Sequence, residues 1–359
     1  MVSNNSSLYP EYGPTSLAII RVAAYSVIGV ISILGNLLVL IAFYREKSLR
    51  IPTNYLIINL AITDILNGIF KDSFIILGTL TNLHIRYKAF CDFDGFMQIL
   101  LYLLTIYSLL ATAIFRYLVI IHSYGKKITV RVVKRTVAII WTYSLAISLS
   151  PVLGWNRYVY QRMESTCLPD WLYPAGRSYV MYAFITDSII PLSLLGICYL
   201  CIYIFIRRNA KRCMVNIKKI QPDSLNRSLL RKSIKKEIEI TKKMFFVYLV
   251  FVICYFPYTI VVFILAPSGV AVPPVAFFIA GFLVNANSAV NPFVYAVIYK
   301  SIRKAYYEII FRYIPSCCSL PASTLDFNQT KLSTAIDKCS TDIIYDTGDQ
   351  RENLVLVDI

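Results

Sequence analysis

Charge is what this sequence has little of. Only 16% of its 359 residues are charged, against roughly a quarter in soluble domains, which argues against an ordinary water-soluble globule. No internal repeat is evident, and no stretch reads as a second soluble domain. No nucleophile–base pair and no closed metal-ligand set stands out, so an enzyme is not expected. The short amino terminus carries no separate hydrophobic run with a cleavage site, and the first apolar segment is expected to serve as the membrane anchor.

What is present is apolar and clustered. Hydrophobic residues make up 57% of the chain and mean hydropathy is +0.61. They gather into runs of about 20 or more, the length that crosses ~30 Å of hydrocarbon as a helix. Seven spans follow: Leu17–Tyr44, Asn54–Leu80, Phe90–Ile121, Val132–Val152, Ser178–Ile206, Ile240–Leu265 and Pro273–Ile298. A lipid-exposed backbone must satisfy its own hydrogen bonds, so each span is predicted helical. Ser301–Ile310 reads as a short amphipathic helix along the membrane face, with Lys300, Arg303 and Lys304 toward lipid headgroups.

The net charge of +16 raises the possibility of nucleic acid, but its placement favours lipid. Of 36 Lys and Arg, 25 fall in Arg45–Arg50, Lys126–Arg135, Arg207–Lys243 and Lys300–Arg312. All four segments lie on one side of a seven-span chain. The positive-inside pattern puts the amino terminus outside and the tail in the cytoplasm, where anionic lipid and a protein partner are better fits than nucleic acid. Asn4 and Asn5 begin overlapping glycosylation sequons on the predicted outer side. Of nine cysteines, only Cys91 and Cys167 fall in predicted outer segments, so one extracellular disulfide is expected. Cys317 and Cys318, just past the amphipathic stretch, are either palmitoylation sites or unmodified tail cysteines.

Gly35-Asn36 in the first span, Asn59-Leu60-Ala61-Ile62-Thr63-Asp64 in the second and Trp141 in the fourth form a joint pattern with Pro191, Pro257 and Asn291-Pro292-Phe293-Val294-Tyr295. With this spacing the chain, over about residues 15–318, resembles the rhodopsin-like (class A) G-protein-coupled receptors. The resemblance implies an all-α bundle of seven transmembrane helices with a short cytoplasmic amphipathic helix, at the plasma membrane. The expected layout is an outer terminus (1–16), the receptor domain (17–298), the amphipathic helix and acylation segment (299–318) and a disordered, phosphorylatable tail (319–359). The terminal Val357-Asp358-Ile359 offers a weak strand for a PDZ groove.

Asp64 is a carboxylate in mid-membrane, costly unless paired, hydrated or ion-bound. The resemblance places Asn36, Thr105, Asn287, Ser288 and Asn291 around it. This is a set of oxygen donors suited to sodium, with a dry network around a protonated Asp64 as the alternative. Arg116-Tyr117 matches the family's cytoplasmic switch, but the preceding acid is replaced by Phe115. Arg116 would then be restrained only by Glu237 across the bundle, giving a looser inactive state and basal signalling; a milder reading has Phe115 simply packing against lipid. Tyr255 stands where the family has a ligand-sensing tryptophan, Pro257 and Pro292 are natural hinges, and Tyr199 and Tyr295 are expected to steady the open form. A heterotrimeric G protein is the implied partner, with arrestin as a further candidate.

Three outer segments narrow the likeness to opsins: Cys91-Asp92-Phe93-Asp94-Gly95-Phe96, Gly154-Trp155-Asn156-Arg157-Tyr158 with Cys167 twelve residues after the tryptophan, and Ser178-Tyr179-Val180-Met181-Tyr182 with Ile189-Ile190-Pro191. Yet retinal is held in opsins on a lysine six residues before the asparagine of the Asn-Pro motif, and here that position is Asn285. An amide forms no imine. The chain thus resembles lysine-less opsin relatives such as those of placozoans, and retinal is not expected. Lys71 keeps two readings open: an ion pair with Asp94 or Asp72, or a relocated retinal lysine with Asp94 as counterion. The candidate pocket is Lys71, Asp94, Gln98, Asp187, Tyr255 and Asn285, polar and mixed in sign, fit for a zwitterion, a small polar ligand or a short peptide. A transporter would call for inverted repeats and a path of carboxylates, which are absent; a non-signalling scaffold on the same fold is the other competitor.

Overall fold

The computed structural model describes residues 15–81, 83–122, 124–220, 246, 248–262 and 272–313. Their helices are α1 (Thr15–Arg45), α2 (Tyr55–Leu66), α3 (Ser73–Leu80), α4 (Leu83–Arg86), α5 (Lys88–His122), α6 (Val130–Leu149), α7 (Arg177–Ala183), α8 (Ile190–Ile220), α9 (Tyr248–Ile260), α10 (Pro274–Ile298) and α11 (Lys300–Tyr313). Five helical stretches among these residues are long and apolar enough to cross a membrane. The second predicted span is not among those five; there α2 and α3 are joined by a π-helical segment, Asn67–Asp72. The fifth is similarly interrupted at Phe184–Ile189 before α8 runs on to Ile220.

Each π segment inserts a residue into the 3.6-residue turn, so side chains beyond it rotate by roughly 100° around the axis. Both segments hold buried charges: Lys71 and Asp72 in one, Asp187 in the other. The helix α5 is the centre of the bundle, packing against α2, α6, α8 and the hairpin, while α1 packs on α10, α2 and α3. Leu101, Leu103, Leu104 and Ile106 are completely buried along α5. Large apolar residues such as Ile20, Val27, Leu34, Ile139, Ile197 and Phe293 are exposed, the outward face that a lipid-embedded bundle presents.

One element is additional to the all-α expectation. Tyr158–Gln161 (β1) and Thr166–Pro169 (β2) pair antiparallel and form a hairpin against α5. The chain divides into two compact units, Met1–Tyr306 and Tyr307–Ile359. The first contains the bundle; the described part of the second is the final stretch of α11.

Candidate functional site

The hairpin closes one end of the first unit and builds a site beneath it. Cys167 of β2 is joined to Cys91 at the start of α5, with Cα atoms 5.4 Å apart, as expected. Asp94, one turn further along α5, is fully buried. Its Oδ2 accepts from Thr166 Oγ1 and from the Cys167 backbone N–H, each at 2.7 Å. Gln98 Nε2 donates to Asp94 Oδ1 at 3.1 Å and to Thr166 Oγ1 at 2.9 Å. His84 Nε2 lies 3.0 Å from Asp94 Oδ2 without hydrogen-bond alignment, its ring stacked on Tyr160.

The hairpin turn, Met163–Ser165, dips further inward. Ser165 takes φ +57°, and its carbonyl lies so near Gly78 that a Cβ there would sit 2.0 Å away. Arg21 of α1 reaches across to donate to Ser165 Oγ and to the Met163 carbonyl, the latter at 2.8 Å. Tyr258 of α9 donates to Glu164 Oε2 at 3.0 Å. Burial pushes the Glu164 carboxyl up to about 7, against the lowering effects of the Tyr258 hydroxyl, Arg21 and Lys71. On the α5 side, Gly95 leaves room for the Tyr158 ring, which a Cβ would meet at 2.3 Å.

Below this lid lies a cavity of about 880 Å³, counted out to its open mouth. Lys71, Gln98, Asp187 and Asn285 line it, together with Arg21, Glu164 and Tyr258, and aromatic rings of Tyr25, Tyr102, Phe277 and Phe278 form much of the wall. Asp94 and Tyr255, expected in the pocket, do not line it. Asp94 is spent on the hairpin. Tyr255 sits against Phe251, with ring centroids 4.3 Å apart, and behind Tyr102 at 5.8 Å.

The expected ion pair of Lys71 with Asp94 or Asp72 is not formed: no carboxylate oxygen of a described residue lies within 4.0 Å of its ammonium. Asp94 is occupied by the lid, and Asp72 faces α1, where its Oδ2 would lie 3.4 Å from a Cβ on Gly29. Adjacent residues on a helix point roughly 100° apart, so these two neighbours meet different faces. Asp187 Oδ1 accepts from the Tyr107, Tyr143 and Thr186 hydroxyls, each at 3.1 Å. Asn285 donates to Gly281 O at 2.9 Å, leaving its own Oδ1 without a donor among the described residues.

Deeper in the bundle, Asn291 Nδ2 donates to Asp64 Oδ2 at 2.7 Å. Asn36 Nδ2 donates to Ser32 O and Ser288 O. Asn67 Nδ2 bridges Ser288 Oγ at 3.1 Å and Thr105 Oγ1 at 3.4 Å. Asp64 Oδ1, Asn36 Oδ1 and Asn67 Oδ1 are buried with no donor among the described residues, and the same holds for acceptors of Asn287 Nδ2. Two orphaned amide oxygens and the carboxylate's own unmet oxygen fit a hard cation.

At the far end of α5, Arg116 donates to the Tyr299 hydroxyl and its guanidinium lies 5.6 Å from that ring's centre. Phe115 is buried among Leu56, Ile128 and Val133, so it packs into protein and not against lipid. Tyr117 Oη is 3.4 Å from His122 Nε2; Tyr199 stands 5.9 Å from Tyr248, ring to ring; Tyr295 is buried. Pro257 lies in α9 and Pro292 in α10. Glu237, Asn4, Asn5, Cys317 and Cys318 are outside the described residues.

Arg21, His84, Asn67, Glu164, Tyr258 and Tyr299 were not singled out from the sequence. A lone arginine in an apolar span and an asparagine one turn from Asp64 were visible signals. Nothing local marks a loop glutamate or a tyrosine beyond the last span.

Residues 35–295 match the family of 7 transmembrane receptors (rhodopsin family). The chain is 32% identical to Melanopsin-B of Xenopus laevis over 293 residues, 79% of this chain and 53% of that protein. It is 28% identical over 317 residues to a GQ-coupled rhodopsin of Mizuhopecten yessoensis, covering 86% of this chain and 62% of the relative. The chain spans about half the length of the melanopsins it matches. The crystal structure of squid rhodopsin shares the fold, with a TM-score of 0.72, 23% identity and coverage of 95% and 96% of the two chains.

Proposed function

Since the chain belongs to the rhodopsin family of seven-transmembrane receptors, we propose that it is an opsin-like receptor that signals to a heterotrimeric G protein from a ligand held non-covalently under the hairpin. One observation carries this: a single helix, α5, provides Gln98 and Tyr102 to the cavity wall and Arg116 to the opposite end. A ligand that displaces the wall acts on the same rigid rod that holds the switch arginine.

In this reading the hairpin faces the outside and Arg116 the cytoplasm. Tyr299 takes the place of the missing acid as the restraint on Arg116. Release of that contact, with α9 hinging at Pro257, opens a cleft for the G protein, and arrestin would use the same cleft. The oxygens around Asp64 would hold sodium in the resting form.

The cavity wall on α10 offers no amine, because Pro274–Ile298 contains no lysine and Asn285 presents an amide. This argues against conventional retinal attachment. A second reading, retinal attached at Lys71, is favoured by the placement of Lys71 in the same cavity as Asn285. Two measurements decide. Nucleotide exchange on a panel of G proteins in cells should show ligand-free or ligand-driven turnover; silence across the panel would leave a non-signalling scaffold. Purified receptor incubated with retinals should gain no visible absorbance; a band that disappears in Lys71→Ala establishes the second reading.

A further inference from the structure

We infer that the cavity ligand is an amphiphilic organic acid whose carboxylate docks on Lys71, an assignment that rests on the non-covalent reading above. Four charged side chains line the cavity, and three are engaged. Arg21 holds the hairpin turn, Glu164 accepts from Tyr258, and Asp187 accepts from three hydroxyls. Lys71 is only 7% exposed, and among the described residues its ammonium has neither a hydrogen-bond acceptor nor a carboxylate within 4.0 Å.

An ammonium with three unmet donors is costly in so apolar a place unless an acceptor is supplied. The structure opens it to the cavity and to no protein acceptor, so the acceptor comes with the ligand. A carboxylate answers both the charge and the donors, in a bond stronger than a neutral one. The remaining wall is largely aromatic, with Tyr25, Tyr102, Phe277 and Phe278, and suits an unsaturated or ring-bearing body. A cationic ligand would instead meet the free lysine with like charge.

The test keeps one body and changes the head. Full-length receptor in nanodiscs is titrated with retinoic acid, retinol and retinal, and with decanoic acid against decanol, reading saturable thermal shift. The acids should bind about tenfold or more tighter than their alcohols. Lys71→Met should abolish that preference, and Lys71→Arg, which supplies a cation but forms no imine, should keep it. Equal binding of acid and alcohol, no binding of either acid, or an acid preference unchanged in Lys71→Met overturns the assignment. So does a borohydride-fixed retinal adduct on Lys71 formed in preference to acid binding. If the variants fail to fold, the comparison of heads on the unmodified protein decides alone. Failure here with G-protein turnover intact removes the ligand class and leaves the receptor; acid binding without turnover does the reverse.

Discussion

Replacing Asp94 with alanine should release the hairpin. In the intact protein this carboxylate takes a backbone N–H and a hydroxyl at 2.7 Å, an amide at 3.1 Å and an imidazole contact at 3.0 Å. All of these groups are buried. Removing the acceptor strands the Thr166, Cys167 and Gln98 donors, and each buried donor left unmet costs about 1–3 kcal/mol, so the three together cost at least about 3 kcal/mol. At about 1.4 kcal/mol per decade, the open population of the hairpin should rise by at least roughly two orders of magnitude. The disulfide from Cys91 to Cys167 reports this directly, because Cys167 itself donates to Asp94. Where opening and closing outpace the chemistry, the rate of reduction follows the open population. Thiol reduction timed by mass spectrometry should therefore accelerate at least about a hundredfold in Asp94→Ala. Asp94→Asn, which keeps one oxygen acceptor, should fall between. An acceleration below about threefold would show that Asp94 does not hold the lid, since it corresponds to less than ~0.7 kcal/mol.

Gly78→Ala places a methyl 2.0 Å from the Ser165 carbonyl, an overlap that backbone alone can relieve; at about 1–3 kcal/mol it should speed the same reduction by about tenfold, and an unchanged rate would contradict the close approach. Glu164 holds its proton up to about pH 7 when the hairpin is closed, against a usual value of 4.5. The closed form is then the more protonated one, so its stability is fullest below pH 4.5 and declines as pH rises to 7; hairpin hydrogen-exchange rates divided by the intrinsic rate at each pH should rise across that window in the native protein and stay flat in Glu164→Gln. Tyr299→Phe removes the acceptor for Arg116 and should raise ligand-free nucleotide exchange about tenfold; a rate equal to the native one would dismiss Tyr299 as the restraint.

The sequence makes some of this visible and hides the rest for definite reasons. Cys91 and Cys167 are legible because topology leaves them alone on one side of the membrane. The seven apolar runs follow from the length a helix needs to cross lipid, and the Asn-Pro, Asp64 and Arg116 positions from their spacing. The facing of Lys71 is not legible by rise along an ideal helix, because the π segment at Asn67–Asp72 adds a residue to the turn and shifts the rotation of this stretch relative to Asp64. Asp94 reads as a pocket acid on α5, yet its partners are a loop hydroxyl and a loop N–H that no periodicity foretells. Phe115 looks like a lipid-facing replacement for an acid; it is buried because Ile128 and Val133 close over it.

The hairpin is fastened to α1 through Arg21, to α3 through Gly78 and Tyr160, to α5 through the disulfide and Asp94, and to α9 through Tyr258. A cap tied at four separate helices sets a clock. Exchange of whatever lies beneath it proceeds only as fast as the cap lifts, so residence time is a property of the receptor as much as of its ligand. Ligands of very different affinity would then leave at similar rates, and loosening one fastening would shorten every stay alike.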